Sequence, residues 1–233
     1  MAGGRSERMR ATHGPAHKAL VEVAGIPLIE HNLIALFAAG VTDVVVVHSN
    51  CEPEIEAYLY ERGGPLASRL DARLETFVEH EPLGNIGVVG ALNDGESDAL
   101  VIYVDNLTSI SATELLMRHR QTAAALTIAT HLWPLQNPFG ELEIEAGFVR
   151  AYREKPVRRV RISSGTCVVS PEAAALVPAN RQFGAADLFA AVLAAVLPVA
   201  AYEHDELWID VNDARTLEQA EHLIRSNRSR FAS

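Results

Sequence analysis

Two aspartates and two lysines carry the most visible chemistry in this sequence. Asp105 ends the apolar run Leu100-Val101-Ile102-Tyr103-Val104, and Asp210 follows Trp208-Ile209 just before the last helical pattern. A carboxylate at the end of a buried strand is costly unless it is paired, hydrogen-bonded or bound to a cation. Taken alone, each also suits a turn or a helix cap. Of the 20 basic residues, only Lys18 and Lys155 are lysines. Where arginine serves everywhere else, a compact ammonium suits a phosphate held in a tight space. The opening stretch Ala2-Gly3-Gly4-Arg5-Ser6-Glu7-Arg8 joins adjacent glycines to arginines. Backbone amides at such glycines can approach a phosphate closely, and guanidinium groups add forked donors. A glycine-rich opening is equally a simple tail, so on composition alone the two readings are balanced.

Composition narrows the classes. The chain has 233 residues, 48% of them apolar, which suits one domain with a sizeable core. The net charge of −10 argues against a duplex-binding protein, which needs a basic face, and no nucleic-acid partner is expected. Cys51 and Cys167 lie far apart and read as reduced thiols. The nine histidines are scattered, and no zinc site is expected. No stretch is long and apolar enough to span a bilayer, and the first residues show no apolar signal segment. A cytoplasmic protein without a membrane partner is the expectation.

The elements that must position these residues alternate. Strands are expected over 43–48, 74–79, 99–105 and 125–131, with helices over 27–39, 53–62 and 111–122. This rhythm predicts an α/β fold, a Rossmann-like, mostly parallel sheet flanked by helices. After about Pro134 it changes: a hairpin over 141–153 turning at Ala146-Gly147, a strand over 162–169, a helix over 185–196, a strand over 199–203 and a helix over 214–225. These predict a small mixed β lobe over the strand ends, where ligands bind in open α/β sheets.

The order of motifs sharpens the reading. Gly3-Gly4-Arg5-Ser6-Glu7-Arg8-Met9, followed by Lys18-Ala19-Leu20-Val21-Glu22-Val23-Ala24-Gly25-Ile26-Pro27-Leu28-Ile29, resembles the opening of the sugar-1-phosphate nucleotidyltransferases, and within them the short mannose- and heptose-1-phosphate guanylyltransferases. Leu83-Gly84-Asn85-Ile86-Gly87, Glu154-Lys155-Pro156 and Trp208-Ile209-Asp210 continue the resemblance. It implies a GT-A-like fold, with residues 1–133 as the nucleotide-binding half and 134–233 as the sugar-phosphate-binding half. Ala2, Gly3, Gly4, Arg5, Gly84 and Asn85 would bind the nucleotide, GTP being favoured. Arg8, Lys18 and Asp105 would be catalytic. Asp105 and Asp210 would hold Mg²⁺, which needs few protein ligands beside phosphate oxygens and water. Glu154, Lys155, Ser164 and Gly165 would hold the sugar 1-phosphate. The implied partners are a nucleoside triphosphate and a sugar 1-phosphate, in a monomer or homodimer.

The chain departs from the family pattern at several places. Ser6 replaces a glycine, His17 a proline, Ile86 an alanine and Val104 a glycine. Ile86 and Val104 are therefore expected to narrow the pocket, and Asn106 to add a polar contact. Asp213 is expected to cap the last helix. The family also has a central strand just ahead of the glycine loop, where this sequence has Met1. The strands flanking that place are expected to carry unpaired backbone groups. An alternative reading is a degenerate relative that binds nucleotide sugars without making them. A GT-A-like glycosyltransferase would be expected to use an Asp-x-Asp at a strand end, which the first half lacks. A dinucleotide oxidoreductase would show GxGxxG after a strand.

Overall fold

The computed structural model describes Met1 and residues 17–231. A short 3-10 turn, Lys18–Leu20, leads into the strand pair β1 (Glu22–Val23) and β2 (Ile26–Pro27). Helix α1 (Leu28–Ala38) begins just after Pro27, whose fixed φ suits a helix entry, and ends before Gly40 at φ +81°. Its buried face carries Leu28, Ile29, Leu33 and Phe37. The all-valine centre of β3 (Asp43–Ser49) pairs in parallel with β4 (Arg73–Glu79). Between them the helix expected over 53–62 runs further. It begins as α2 (Pro53–Tyr58), passes through a π turn at Leu59–Gly63 and continues as α3 (Gly64–Arg69). Pro65 is tolerated there because it falls in the first turn of α3, where no intrahelical donor is needed.

The remaining elements are α4 (Val88–Ala91), β5 (Ala99–Ile102), β6 (Asn106–Thr108), α5 (Ala112–Thr122), β7 (Leu126–Gln136), β8 (Glu141–Glu145), β9 (Phe148–Arg153), β10 (Val157–Val169), α6 (Pro171–Ala174), α7 (Ala185–Ala194), β11 (Val199–Glu203), β12 (Trp208–Asp210) and α8 (Ala214–Ser226). Four strands form one sheet in the order β11-β7-β10-β5. β11 is parallel to β7, whereas β10 is antiparallel to both β7 and β5, so the sheet is mixed. β7 and β10 exceed their expected lengths because their far ends pair with each other, Val157 against Gln136. This two-stranded ribbon and the β8–β9 hairpin, which turns at Ala146-Gly147 as expected, form the smaller β lobe.

The main core joins β5, β7 and β10 to α4, α6 and α7 through Ile86, Val101, Leu126, Val169, Leu188 and Val192. A second cluster gathers α1, β3, α2 and α3 around Leu33, Val46, Ile55 and Val104. Between the two lies an apolar cavity of about 1270 Å³, lined by Val44 to Val47 of β3 and Ala99 to Ile102 of β5. Among the described residues, β3 has a ladder only with β4, and β5 only with β10. Both strands border this cavity. Met1 sits at its end: its α-ammonium donates to Ile102 O at 2.8 Å, and Val104 N donates to Met1 O at 3.0 Å. Burial pushes that amine down from 8.0 to about 6.

Candidate active site

The site is assembled where β5 ends and two short strands meet. β6 and β12 are antiparallel, with Asn106 opposite Asp210. The Val211 N–H donates to Asp105 O at 2.9 Å. These contacts bring two aspartates that are 105 positions apart together, Asp210 on β12 and Asp105 in the turn just ahead of β6. Burial raises the Asp210 carboxyl above the usual range; the charge of Asp105 adds to this and that of Lys18 opposes it. Asn212 Nδ2 donates to Asp210 Oδ2 at 2.6 Å. Asp213 caps α8 as expected, accepting from Thr216 N at 2.8 Å.

Lys18 completes the constellation, its Nζ lying 2.5 Å from Asp105 Oδ2, with both side chains largely screened from solvent. His17 explains how Lys18 is held. It is fully buried, its Nδ1 accepts from Ala19 N at 3.1 Å, and its Nε2 lies 3.2 Å from Glu52 Oε1. A proline at this place could make neither contact, so the departure from the family pattern is a local anchor for the lysine turn. From the other side, Asn32 of α1 donates to Val104 O at 3.1 Å and steadies the turn that carries Asp105.

The Ser164–Gly165 turn adjoins the same strands. Gly165 stands at φ +74°, and a Cβ there would fall 2.3 Å from Asn106 Nδ2. Trp208 Nε1 donates to Ser164 O at 2.7 Å. Ser164 itself is fully buried, and its hydroxyl is taken up by His131 and His204. The turn can therefore offer its backbone to a ligand while the serine side chain supports it. Neither histidine stood out in the sequence, because 131 and 204 share no motif and meet only through the β7–β11 ladder.

Other candidates lie apart from this centre. Glu154 and Lys155 follow β9, with side chains 60% and 57% exposed. Among the described residues, Glu154 meets Tyr152 and Lys155, the latter at 4.0 Å, rather than the carboxylates. Gly84 is at φ +81°, where a Cβ would strike Phe183 O at 2.5 Å, and Asn85 Oδ1 accepts from Ala185 N at 2.9 Å at the start of α7. One expectation is corrected: Ile86 does not narrow a pocket but is fully buried in the main core. Val104 packs into the α1–β3 core at 5% exposure and also borders the cavity between the two clusters. Ala2, Gly3, Gly4, Arg5, Ser6 and Arg8 lie outside the described residues.

Two neighbouring carboxylates, Asp210 on β12 and Asp105 in the turn ahead of β6, suit a divalent cation completed by phosphate oxygens. Among the described residues no group of three or more His, Cys, Asp or Glu could hold a metal, so an all-protein cage of the kind zinc favours is not formed there. No helix of the described residues is long and apolar enough to cross a membrane.

Comparison with known proteins agrees with this geometry. A family model for nucleotidyl transferases matches residues 1–227. An N-acetylmuramate α-1-phosphate uridylyltransferase from Neisseria meningitidis serogroup B is 34% identical over 145 residues, 59% of this chain and 58% of the relative. A mannose-1-phosphate guanyltransferase from Eremothecium gossypii is 26% identical over 224 residues, 92% of this chain and 61% of the relative. The chain thus spans 58% and 61% of the length of these two relatives. Among solved structures, a candidate glucose-1-phosphate thymidylyltransferase from Bacillus anthracis, in complex with sucrose, superposes with a TM-score of 0.74 at 18% identity, covering 96% of this chain and 93% of that one. HddC from Yersinia pseudotuberculosis gives 0.70 at 19% identity, covering 96% of both chains. At such identities the likeness speaks for the fold.

Proposed function

The chain belongs to the nucleotidyl transferase family, and we propose that within it the protein joins a nucleoside triphosphate to a sugar 1-phosphate, giving an NDP-sugar and pyrophosphate. The observation that carries this reading is the convergence of Lys18, Asp105 and Asp210 beside the Ser164–Gly165 turn. GTP is the favoured donor, in keeping with the mannose-1-phosphate guanyltransferase relatives.

In the proposed reaction a phosphate oxygen of the sugar 1-phosphate attacks the α-phosphorus of the triphosphate. One P–O bond forms, the bond to the β-phosphate bridging oxygen breaks, and pyrophosphate leaves with both bonding electrons. The nucleophile is already an anion, so no side chain has to take a proton. Positioning and charge neutralisation then supply the acceleration. Asp105 and Asp210 would hold Mg²⁺, which when bound offsets charge on the phosphate oxygens. Lys18 faces that charge from its turn, and Arg8 would face the leaving group. The Ser164–Gly165 turn would seat the acceptor, with Glu154 and Lys155 approaching its hydroxyls and phosphate from the β lobe. Gly3, Gly4, Gly84 and Asn85 would border the nucleotide, in a cytoplasmic monomer or homodimer. Residues 1–133 would then serve the nucleotide and 134–233 the acceptor.

The departures from the family pattern at Ser6, His17 and Val104 favour one second reading, a homologue that binds nucleotide sugars without turnover. One assay separates the two. The purified protein is incubated with Mg²⁺, each nucleoside triphosphate and a panel of sugar 1-phosphates, and pyrophosphate is followed. Release that requires one nucleotide and one sugar phosphate together supports transfer. Binding of a nucleotide sugar in a calorimeter, with no release across the panel, supports the second reading.

A further inference from the structure

Ser164 lies where the register of β10 against β7 shifts, between Ser163 and Cys167. Its hydroxyl stands between two imidazoles, 2.9 Å from His131 Nδ1 and 2.6 Å from His204 Nε2. The backbone N–H of Glu206 donates to His204 Nδ1 at 3.2 Å. That contact gives the chain a direction, because a neutral imidazole has one donor nitrogen and one acceptor. With Nδ1 accepting, His204 carries its proton on Nε2 and donates to Ser164. The hydroxyl of Ser164 then donates to His131 Nδ1, and a neutral His131 carries its own proton on Nε2, a buried nitrogen with no partner among the described residues. Burial lowers the pKa of both rings, and for His204 the neighbouring His131 lowers it further, which favours the neutral form of each.

Trp208 closes the arrangement. Its indole N–H donates to the carbonyl of the same serine, and its ring lies 4.7 Å from that of His131. Trp208 sits two positions before Asp210 on β12, and the glycine after Ser164 packs on Asn106, next to Asp105. The acceptor turn is thus tied through its carbonyl and its glycine to β12 and β6, beside the carboxylates, and through its side chain to β7 and the end of β11.

We propose that the His204–Ser164–His131 chain is a positioning device that sets where the Ser164–Gly165 turn stands relative to Asp105 and Asp210, and therefore where the sugar phosphate is held. His131, Ser164 Oγ and His204 act through the turn and do not touch the substrate. This inference rests on the transferase reading for its functional half, while its structural half stands independently.

Two measurements test it. Long-range proton–nitrogen NMR of the imidazoles in the unaltered protein at neutral pH should show both rings neutral and protonated on Nε2. A His204 protonated on Nδ1, or a charged ring in the pair, overturns the chain as drawn. In kinetics, Ser164→Ala and His204→Leu should raise KM for the sugar phosphate by about tenfold or more, with KM for the nucleotide changed by less than about twofold. His204→Gln, which keeps a donor in the Nε2 position, should recover most of the loss. Equal rises in both KM values, or an unchanged acceptor KM in all three variants, overturn the positioning role. If the unaltered protein turns over nothing, the transferase reading fails and the NMR result still decides whether the chain exists.

Discussion

The floor of the site and the slot beside it share one strand, β5, and differ in which of its edges is paired. On one edge β5 is laddered to β10 from Ala99 to Ile102, and the ordering continues into the Ser164–Gly165 turn. On the other edge it faces the apolar cavity of about 1270 Å³, across which β3 presents an edge that has no ladder among the described residues. Asp105, three residues past β5, takes its position from both sides. β12 holds it through Val211, while Asn32 and Met1 hold the adjoining Val104. Lys18 rides on a turn that packs against α1, on the slot side. The acceptor turn is therefore fixed by the β7–β10–β5 ladders, and the lysine–aspartate pair hangs partly from strand edges that have no ladder among the described residues.

Substitutions can break or sharpen that contrast. The largest effect is expected from Asp105→Ala, which should cost on the order of 10³-fold or more in turnover with a near-normal circular dichroism spectrum. Retained turnover would remove Asp105 from the proposed site.

Smaller effects separate the two regions residue by residue. Val168→Ala, within the β7–β10–β5 ladders at 0% exposure, should cost about 2 kcal/mol. Val46→Ala, whose side chain already borders the slot, should cost about half as much, because fewer packed contacts are lost. Denaturant titration compares the two, and equal costs would mean that the slot side packs as fully as the sheet. The smallest effect is expected from Trp208→Phe, which removes the indole donor to Ser164 O and should cost about 1 kcal/mol of stability.

Much of this organisation was legible in the sequence. The valine run of β3, the proline entry and glycine exit of α1, the Ala146-Gly147 turn and the Asp213 cap follow from local pattern, and all are present. Lys18, Asp105, Asp210 and the Ser164–Gly165 turn were picked out, and they do come together. Long-range pairing was harder to read. The extra lengths of β7 and β10 exist only because each strand supplies the other's partner. His131 and His204 became visible once three strands placed them around one hydroxyl. Ile86 lies in the main core and not along a pocket, because residue size says nothing about direction.

The central claim is that a nucleotidyl group moves from a nucleoside triphosphate to a sugar phosphate. It is tested most directly by following two labels in the presence of Mg²⁺ and a matched sugar 1-phosphate. The account predicts that α-phosphorus label appears in a nucleotide sugar and γ-phosphorus label in pyrophosphate, in equal amounts. Label released as free nucleoside mono- or diphosphate, or no movement of label while the nucleotide sugar still binds, would contradict it.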